Sequence, residues 1–257
     1  MSVSDEFALW VDQLIPVIHE AGEAVMEVYA SDFRVEVKDD QSPVTAADEC
    51  AERLITRALA ALTPTIPIVA EEASAAGRAV AVTSRFWLVD PLDGTREFVN
   101  RNGEFTVNIA LVDQGRPVLG LVLLPVSGRL YGGLVGMGSW LEEGGLRRTI
   151  RSRRAPTQGL TVLSSRSHGD EAAMRDFLAD LPVSEIVFAG SSLKLCLLAE
   201  GVADLYPRFG RTMEWDIAAG QAVLEAAGGR VTCLDGALLR YGKPGFENPD
   251  FVAWGAA

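Results

Sequence analysis

Two acidic side chains stand where an apolar segment in the middle of the chain ends. Phe86 to Val89 are four consecutive apolar residues, a run that is typical of a strand covered on both faces. Asp90 and Asp93 follow on either side of Pro91, whose ring fixes its own φ and keeps the preceding residue extended. The spacing therefore predicts two carboxylates held in one geometry at the end of a buried strand.

A second pair of acids, Glu71 and Glu72, closes a short apolar strand predicted over 66–72. Ligand groups gather beyond the carboxyl ends of strands in α/β sheets, so we expect these acids close to Asp90 and Asp93. Several carboxylates at one place repel one another unless a cation neutralises them. Oxygen ligands without Cys or His favour Mg²⁺, Mn²⁺ or Ca²⁺ over zinc. The alternative is that each acid only caps a turn or a helix, which suits Asp93 before a glycine equally well.

The residues after Asp93 predict an anion site. Gly94 and Thr95 open a helical turn, whose free backbone N–H groups suit a bound phosphate. Two more acids lie at predicted helix starts: Asp48 in the first turn of one helix and Asp216 at the beginning of another. Either acid could simply complement its helix dipole. Spacing along the chain does not pair Asp48 with Thr95, so the metal-binding and helix-capping interpretations both stay open here.

The elements that must position these residues change in character along the chain. Apolar residues recur every three or four positions over 5–29 and predict a long amphipathic helix, followed by a second helix over 46–62. Strands are predicted over 33–38, 66–72, 86–90, 104–112, 117–124 and 129–134, the last three as an antiparallel meander. Beyond the meander, strands over 160–164, 186–189, 203–209 and 229–234 alternate with helices over 170–179, 191–200 and 216–227. We expect one domain over 1–257 with subdomains of about 1–155 and 156–257.

Composition and charge exclude several classes of protein. The chain is 48% hydrophobic and 23% charged, as ordinary globular proteins are, and its net charge of −12 makes a general nucleic-acid partner a poor fit. A small anion can still bind where metal ions or local basic residues reverse the potential. Three cysteines without paired spacing argue against disulfides and structural zinc. No signal peptide and no transmembrane segment is evident, so we expect a cytoplasmic protein, with peripheral contact at the inner membrane as an alternative.

Three motifs, in this order and at these separations, resemble the inositol monophosphatase superfamily of metal-dependent, lithium-sensitive phosphomonoesterases. They are VAEEA at 69–73, WLVDPLDGTREF at 87–98 and WDIAAGQAVLEAAGG at 215–229. The resemblance covers nearly the whole chain, from SPVTAADE to VTCLDG. It implies an α/β (α+β) fold, the layered αβαβα sandwich shared with fructose-1,6-bisphosphatase.

One stretch is more specific within that superfamily. DGTREFVNRNGEFTVNIAL, at 93–111, is similar to the bacterial 3′(2′),5′-bisphosphate nucleotidases of the CysQ type. The resemblance implies hydrolysis of 3′-phosphoadenosine 5′-phosphate to AMP and phosphate, in sulfur assimilation and nucleotide recycling. The segment ASAAGRAVA, after Glu72, departs from the acidic, proline-containing loop usual in these enzymes, which affects loop contacts and not the metal site.

The same resemblance implies roles for individual residues. Matching metal ligands are Glu71, Asp90, the carbonyl of Leu92, Asp93 and Asp216, with Glu72 replacing Glu71 if the register is shifted by one. Asp48 and Thr95 match the pair that orients the attacking water, and Glu71 belongs to the catalytic set as well. Matching substrate contacts are Gly94, Thr95, His168, Ser191, Lys194 and Arg208, and Lys38 matches a position near a third metal.

The cofactors implied are two or three Mg²⁺ ions, with Mn²⁺ as a substitute and Li⁺ as an inhibitor. The partner is a small phosphorylated nucleotide, with no nucleic acid, and the protein is a monomer or a homodimer. An alternative keeps the chemistry but takes inositol phosphate or another sugar phosphate as substrate. Lys194 and Arg208 discriminate, because a second phosphate needs them and a polyol monophosphate does not. A more remote alternative is a non-catalytic, nucleotide-binding regulator.

Overall fold

Two β-sheets and seven helices organise the part of the chain that the structure describes. The computed structural model describes residues 3–31, 35–37, 43–78, 80–166 and 169–256. The helices are α1 Val3–Ala30, α2 Ala46–Leu62, α3 Glu71–Ala75, α4 Thr95–Val99, α5 Glu171–Leu178, α6 Leu193–Ala199 and α7 Glu214–Ala226. The strands of the first half are β1 Val35–Val37, β2 Pro43–Thr45, β3 Ile68–Ala70, β4 Arg85–Asp93, β5 Thr106–Asp113, β6 Arg116–Leu124, β7 Arg129–Leu134, β8 Gly138–Glu143 and β9 Leu146–Ile150. Those of the second half are β10 Leu160–Ser165, β11 Val183–Ala189, β12 Leu205–Arg208, β13 Thr212–Met213, β14 Arg230–Cys233, β15 Glu247–Asn248 and β16 Phe251–Trp254.

The first sheet has seven strands in the order β3-β4-β5-β6-β7-β8-β9. β3 runs parallel to β4, and every later neighbour is antiparallel, which confirms the predicted meander. β8 and β9 were not predicted. β9 begins with four exposed residues, Leu146 to Thr149, and two of them are arginines. A charged, exposed strand at a sheet edge lacks the apolar alternation that reveals a strand in a sequence.

The second sheet has five strands in the order β11-β10-β12-β16-β14. β10 pairs in parallel with both β11 and β12, whereas β16 is antiparallel to β12 and to β14. The small pair β13–β15 lies apart from both large sheets, and β13 directly precedes α7. The alternation of strand and helix predicted for the second half is correct, although each strand of the five-stranded sheet is only four to seven residues long.

The helices and sheets form five layers. Buried residues of α1 and α2 pack on one face of the first sheet, and α6 and α7 pack between the two sheets. α5 covers the outer face of the second sheet. α7 approaches the first sheet closely, because a Cβ at Gly120 would lie 2.1 Å from the carbonyl oxygen of Ala219. This arrangement is the αβαβα sandwich that the resemblance implies.

Helix boundaries agree with the sequence predictions at some ends and differ at others. α2 has the predicted bounds, and α1 extends the predicted helix by a few residues. Glu71 and Glu72 begin α3 and do not end β3, so the strand predicted over 66–72 was wrong at its carboxyl end. α7 begins at Glu214, two residues before Asp216. The predicted subdomain boundary near residue 155 falls between β9 and β10, yet α7, from the second half, packs on the first sheet.

Two further predictions concern the chain as a whole. Cys50, Cys196 and Cys233, all described, are free thiols, as their spacing predicts. Within the described ranges, no helix combines the length and the apolar character needed to cross a membrane.

Candidate active site

A β-bulge fixes the two carboxylates at the end of β4. Four residues of β4, from Asp90 to Asp93, lie opposite three residues of β5. Pro91 has no N–H to give to the ladder, which explains why the extra residue stands here. The backbone N–H of Leu92 donates to Asp90 Oδ1 at 3.1 Å. The sequence expectation that proline holds this pair in one geometry therefore has a structural basis.

Three acids from other elements join this pair. Asp48 in the first turn of α2, Glu71 at the start of α3, and Asp216 in the first turn of α7 all act electrostatically on Asp90 or its neighbours. Asp216 is held in place by the N–H of Met213, which donates to its Oδ2 at 2.8 Å. The fold thus brings together five acids, and the first and last of them, Asp48 and Asp216, are 168 residues apart in the sequence.

Burial and mutual repulsion dominate the electrostatics of these acids. Asp90 is 1% exposed, and its pKa is raised well above the ordinary value by desolvation and then by Glu71, Asp93, Asp216 and Asp48. The pKa of Asp216 is also raised well above the ordinary value, by desolvation and then by Asp93 and Glu71. After burial, the largest influences on the pKa of Asp90 are four other carboxylates. Such a group of charges gains stability from a cation placed among them.

The two adjacent glutamates have different surroundings. Glu71 raises the pKa of both Asp90 and Asp216, whereas Glu72 acts on Glu52 of α2. The Glu52 carboxylate accepts hydrogen bonds from the backbone N–H groups of Glu72 and Ala73, at 2.7 and 3.0 Å, and so caps α3. Glu71 is therefore the glutamate on the side of Asp90.

The residues present fit a hard divalent cation by their chemistry. The donors near Asp90 are carboxylate oxygens, which Mg²⁺ and Mn²⁺ prefer. Across the described ranges, no group of three His, Cys, Asp or Glu side chains is arranged so that it could hold a metal ion as it stands. Whether each acid is a ligand stays a prediction.

The turn after Asp93, where the sequence predicts an anion site, has a left-handed backbone. Gly94 has a φ of +92°, and Thr95 begins the five-residue helix α4. A side chain at Gly94 would be strained by this φ, and its Cβ would lie 3.3 Å from the Cβ of Ser191. The close approach places the 94–95 turn directly against the segment between β11 and α6.

Basic and hydroxyl groups face the acids from the second half of the chain. The N–H of Ser192 donates to Asp93 Oδ2 at 2.6 Å, and Asn108 Nδ2 donates to Ser192 Oγ at 3.1 Å. Lys194 Nζ donates to the carbonyl oxygens of Ser191 and Ala189, at 2.7 and 3.2 Å. Desolvation lowers the pKa of Lys194 to about 8, with Asp93 acting in the opposite direction.

A cavity of about 510 Å³ joins these two sets of residues. Its wall includes Asp93, Gly94, Thr95, Ser191, Lys194, Arg208 and Asp216 from the predicted site. A neighbouring cavity of about 750 Å³ shares Ser165 and Arg208 with it. The wall of the first cavity therefore carries both carboxylates, Asp93 and Asp216, and cations, Lys194 and Arg208.

Sequence reasoning missed several residues of this cavity. Arg96, Ser192 and Arg211 line it as well. Arg96 directly follows Thr95 in the WLVDPLDGTREF motif, and this position could have identified it as a residue of the cavity. Nothing in the sequence separated Ser192 from Ser191, because only the backbone turn decides which of two serines has its N–H on Asp93. Lys38 and His168, predicted near a third metal and at the substrate, lie outside the described residues.

Comparison with known proteins decides the family. A model described as the inositol monophosphatase family matches residues 10–253. The chain belongs to the inositol monophosphatase family. The prediction made from the three motifs is thereby confirmed.

Individual family members are similar over almost their whole length. A 3′(2′),5′-bisphosphate nucleotidase CysQ of Escherichia coli O157:H7 is 47% identical over 244 residues, covering 94% of this chain and 98% of that protein. A CysQ of Buchnera aphidicola is 39% identical, covering 95% and 92%. The crystal structure of CysQ from Bacteroides thetaiotaomicron, described as a bacterial member of the family, is 36% identical, covers 95% and 96%, and gives a TM-score of 0.80. An IMPase structure from Thermotoga maritima gives 0.78 at 27% identity, covering 95% and 91%. These matches confirm the predicted fold and subfamily resemblance.

Proposed function

We propose that this protein is a Mg²⁺-dependent 3′(2′),5′-bisphosphate nucleotidase that hydrolyses 3′-phosphoadenosine 5′-phosphate to AMP and phosphate. The relatives named CysQ support the activity, because their similarity covers almost the full length of both chains. We place the enzyme in the cytoplasm, where it would recycle the nucleotide by-product of sulfate activation.

The observation that carries the proposal is that acids and cations lie in the wall of one cavity. Asp93 and Asp216, with the acids around Asp90, suit a cation and the phosphate that is cleaved, whereas Lys194 and Arg208 suit a second anionic group on the same substrate. A substrate with one phosphate would need only the first set of residues. A bisphosphate nucleotide carries a second anion for Lys194 and Arg208.

The chemistry requires a phosphate, a water and a leaving oxygen in line. Glu71, Asp90, the Leu92 carbonyl, Asp93 and Asp216 would hold Mg²⁺, which supplies charge stabilisation and acidifies water when bound. Asp48 and Thr95 would orient the attacking water and accept its proton. The Gly94 and Thr95 N–H groups would hold the phosphate oxygens, as free amides at a helix start do. No side chain in this scheme becomes phosphorylated.

A phosphate-release panel tests the proposal. Purified protein with Mg²⁺ is given 3′-phosphoadenosine 5′-phosphate, inositol 1-phosphate and fructose 1,6-bisphosphate in parallel, with EDTA and Li⁺ arms. We expect the nucleotide to have the highest kcat/KM, and both EDTA and Li⁺ to suppress release. A preference for inositol phosphate would overturn the nucleotide substrate while keeping the phosphatase. Tight nucleotide binding without phosphate release would indicate a binding regulator.

Lys194→Met tests the role of the cations in the cavity wall separately from that of the acids. Its loss should raise KM for the bisphosphate nucleotide about tenfold or more, since a charge-assisted contact contributes about 1.5–3 kcal/mol. Turnover of adenosine 3′-monophosphate, which lacks the second phosphate, serves as the internal control and should change much less. Equal losses on both substrates would contradict a second-phosphate role for Lys194.

A further inference from the structure

The turn from Gly190 to Ser192 contacts both an acid and a cation of the cavity wall, because the Ser192 N–H donates to Asp93 and the Ser191 carbonyl accepts Lys194. It follows β11 and precedes α6. Ser191 has a φ of +40°, a backbone conformation that residues other than glycine rarely adopt. A backbone conformation of this kind persists only where surrounding contacts fix it. The contacts that fix this turn therefore decide where its N–H and carbonyl groups point.

Glu104 fixes the first half of the turn. Its Oε2 accepts the N–H of Gly190 at 2.8 Å, and its backbone carbonyl accepts the hydroxyl of Ser191 at 2.9 Å. Its carboxylate also accepts the Arg166 guanidinium, at 2.9 to 3.2 Å. Arg166 in turn donates to the carbonyl oxygen of Phe188, the last residue but one of β11. Glu104 thus holds three separate points around one turn.

The fit between Glu104 and this turn leaves no room for a side chain. A Cβ at Gly190 would lie 2.7 Å from the carbonyl oxygen of Glu104 and 2.8 Å from Cγ of Glu97. Contacts that short do not occur, so glycine at 190 is required by the closeness of Glu104. Two segments more than eighty residues apart in the chain therefore pack closely against each other.

The second half of the turn has its own anchors. Ser192 is held by Asp93, which accepts its N–H, and by Asn108, which donates to its hydroxyl. Between the two halves, the carbonyl oxygen of Ser191 accepts the Lys194 ammonium at 2.7 Å. Loss of the Glu104 side chain would leave the Asp93 end of the turn anchored, and would remove the acceptor of the Gly190 N–H while the backbone carbonyl of residue 104 still accepts the Ser191 hydroxyl.

We propose that Glu104 is a positioning residue for the second anionic group of the substrate, because it fixes the Gly190–Ser191 backbone that holds Lys194. Glu104 does not line the 510 Å³ cavity and acts through the turn. The proposal gives a physical reason for the RNGEF segment at 101–105, which the sequence resemblance associates with nucleotide substrates. It rests on the proposed function, since it needs a substrate with two phosphates.

The test compares two substrates cleaved at the same 3′-phosphate: adenosine 3′,5′-bisphosphate and adenosine 3′-monophosphate. We expect Glu104→Ala to lower kcat/KM for the bisphosphate about tenfold through KM, as loss of one charge-assisted contact would, and to change the monophosphate less than about threefold. Glu104→Gln keeps an acceptor for the Gly190 N–H and should shift the ratio less. If Glu104→Ala does not fold, Glu104→Met, which also removes the acceptor for the Gly190 N–H but keeps the length of the side chain, decides in its place, and a wild-type ratio there overturns the proposal.

Glu142→Ala is the matched control. Glu142 is 25% exposed and pairs with Arg147, which is 44% exposed, whereas Glu104 is 28% exposed and pairs with Arg166, which is 45% exposed. Glu142 lies on β8, and its loss should leave the substrate ratio unchanged. Arg166→Met removes the ion pair but leaves the Gly190 contact, so it should keep most of the wild-type ratio.

Three results would overturn the proposal. They are equal losses on both substrates in Glu104→Ala, no loss on either substrate in that variant, or the same change of the substrate ratio in Arg166→Met. Failure of the proposed function is seen separately, because it appears in the wild-type enzyme as an absence of bisphosphate hydrolysis. The wild-type measurement alone detects that failure, and the variants are not needed for it.

Discussion

Buried carboxylates at two places in this protein have opposite surroundings. Asp204 and Glu214, both in the second half, each have a cation of their own. Arg153 donates to both oxygens of Asp204 at 2.9 Å, and Lys243 Nζ donates to Glu214 at 2.7 Å. Backbone N–H groups complete both sites: Thr161 donates to Asp204, and Gly242 donates to Glu214.

Asp90, at the end of β4, shows the contrasting case. Burial is the largest cause of its raised pKa, and the carboxylates of Glu71, Asp93, Asp216 and Asp48 raise it further. Burying a charge costs several kcal/mol unless it is paired, so a fold does not keep such a group for its own stability. A buried acid with an internal cation is structural, whereas a buried acid among acids indicates a site for an external cation.

The largest expected effect tests the acids around Asp90. Asp90→Asn should lower phosphate release by about 10³-fold or more, since electrostatic stabilisation of the transition state is lost. The same change should raise the thermal midpoint in EDTA at pH 7, because it removes a repelling charge and keeps an acceptor for the Leu92 N–H. Both quantities are measured on one preparation, by phosphate release and by differential scanning fluorimetry.

Asp113→Asn is the control for that prediction. Asp113 ends the neighbouring strand β5, and its Oδ2 accepts Arg85 Nη2 at 2.7 Å. Its loss should leave activity near wild type and lower stability by about 1 kcal/mol or less. The contrast between acids that have their own cation and acids that lie among other acids is wrong if Asp90→Asn destabilises the EDTA-treated protein as much as Asp113→Asn does.

The next effect concerns the paired acids of the second half. Lys243→Met should cost about 3 kcal/mol of unfolding free energy, because it leaves the fully buried Glu214 without its cation. Urea unfolding in EDTA measures the change. The double variant Lys243→Met/Glu214→Gln should recover part of the loss, since the remaining amide oxygen still accepts the Gly242 N–H.

Arg147→Met provides the exposed counterpart of that change. Its pair with Glu142 is partly exposed, so the cost should be about 1 kcal/mol or less. A similar cost for Lys243→Met and Arg147→Met would show that burial does not separate the paired acids from surface ion pairs.

The smallest effect is stabilisation by the metal itself. Mg²⁺ at one hundred times its Kd should stabilise the wild-type protein by about 2.7 kcal/mol. Asp93→Asn should lose most of this gain, whereas Lys243→Met should keep it, because only the first variant changes the acids near Asp90. The shift of the thermal midpoint with and without Mg²⁺ measures it. A full Mg²⁺ shift in Asp93→Asn would remove Asp93 from the ligand set.

Local sequence predicted the elements that depend on neighbouring residues. The bounds of α2 follow from apolar periodicity, and the β4 segment follows from an apolar run ended by Asp90 and Pro91. α3 escaped prediction because its start is capped from a distance by Glu52, and β9 because its edge position allows exposed arginines. In both cases the stabilising partner lies outside the segment, so no pattern within the segment could reveal it.

The sequence by itself determined the chemical types at this site and the rigid Asp90–Asp93 spacing, since proline and the strand act within a few residues. Only the tertiary structure decided that Glu71 and not Glu72 lies beside Asp90, and that Ser192 gives its N–H to Asp93. Hydrophobic periodicity states which face of an element is buried but not which element it meets. The meeting of Glu104 with Gly190 is therefore a property of the packed molecule.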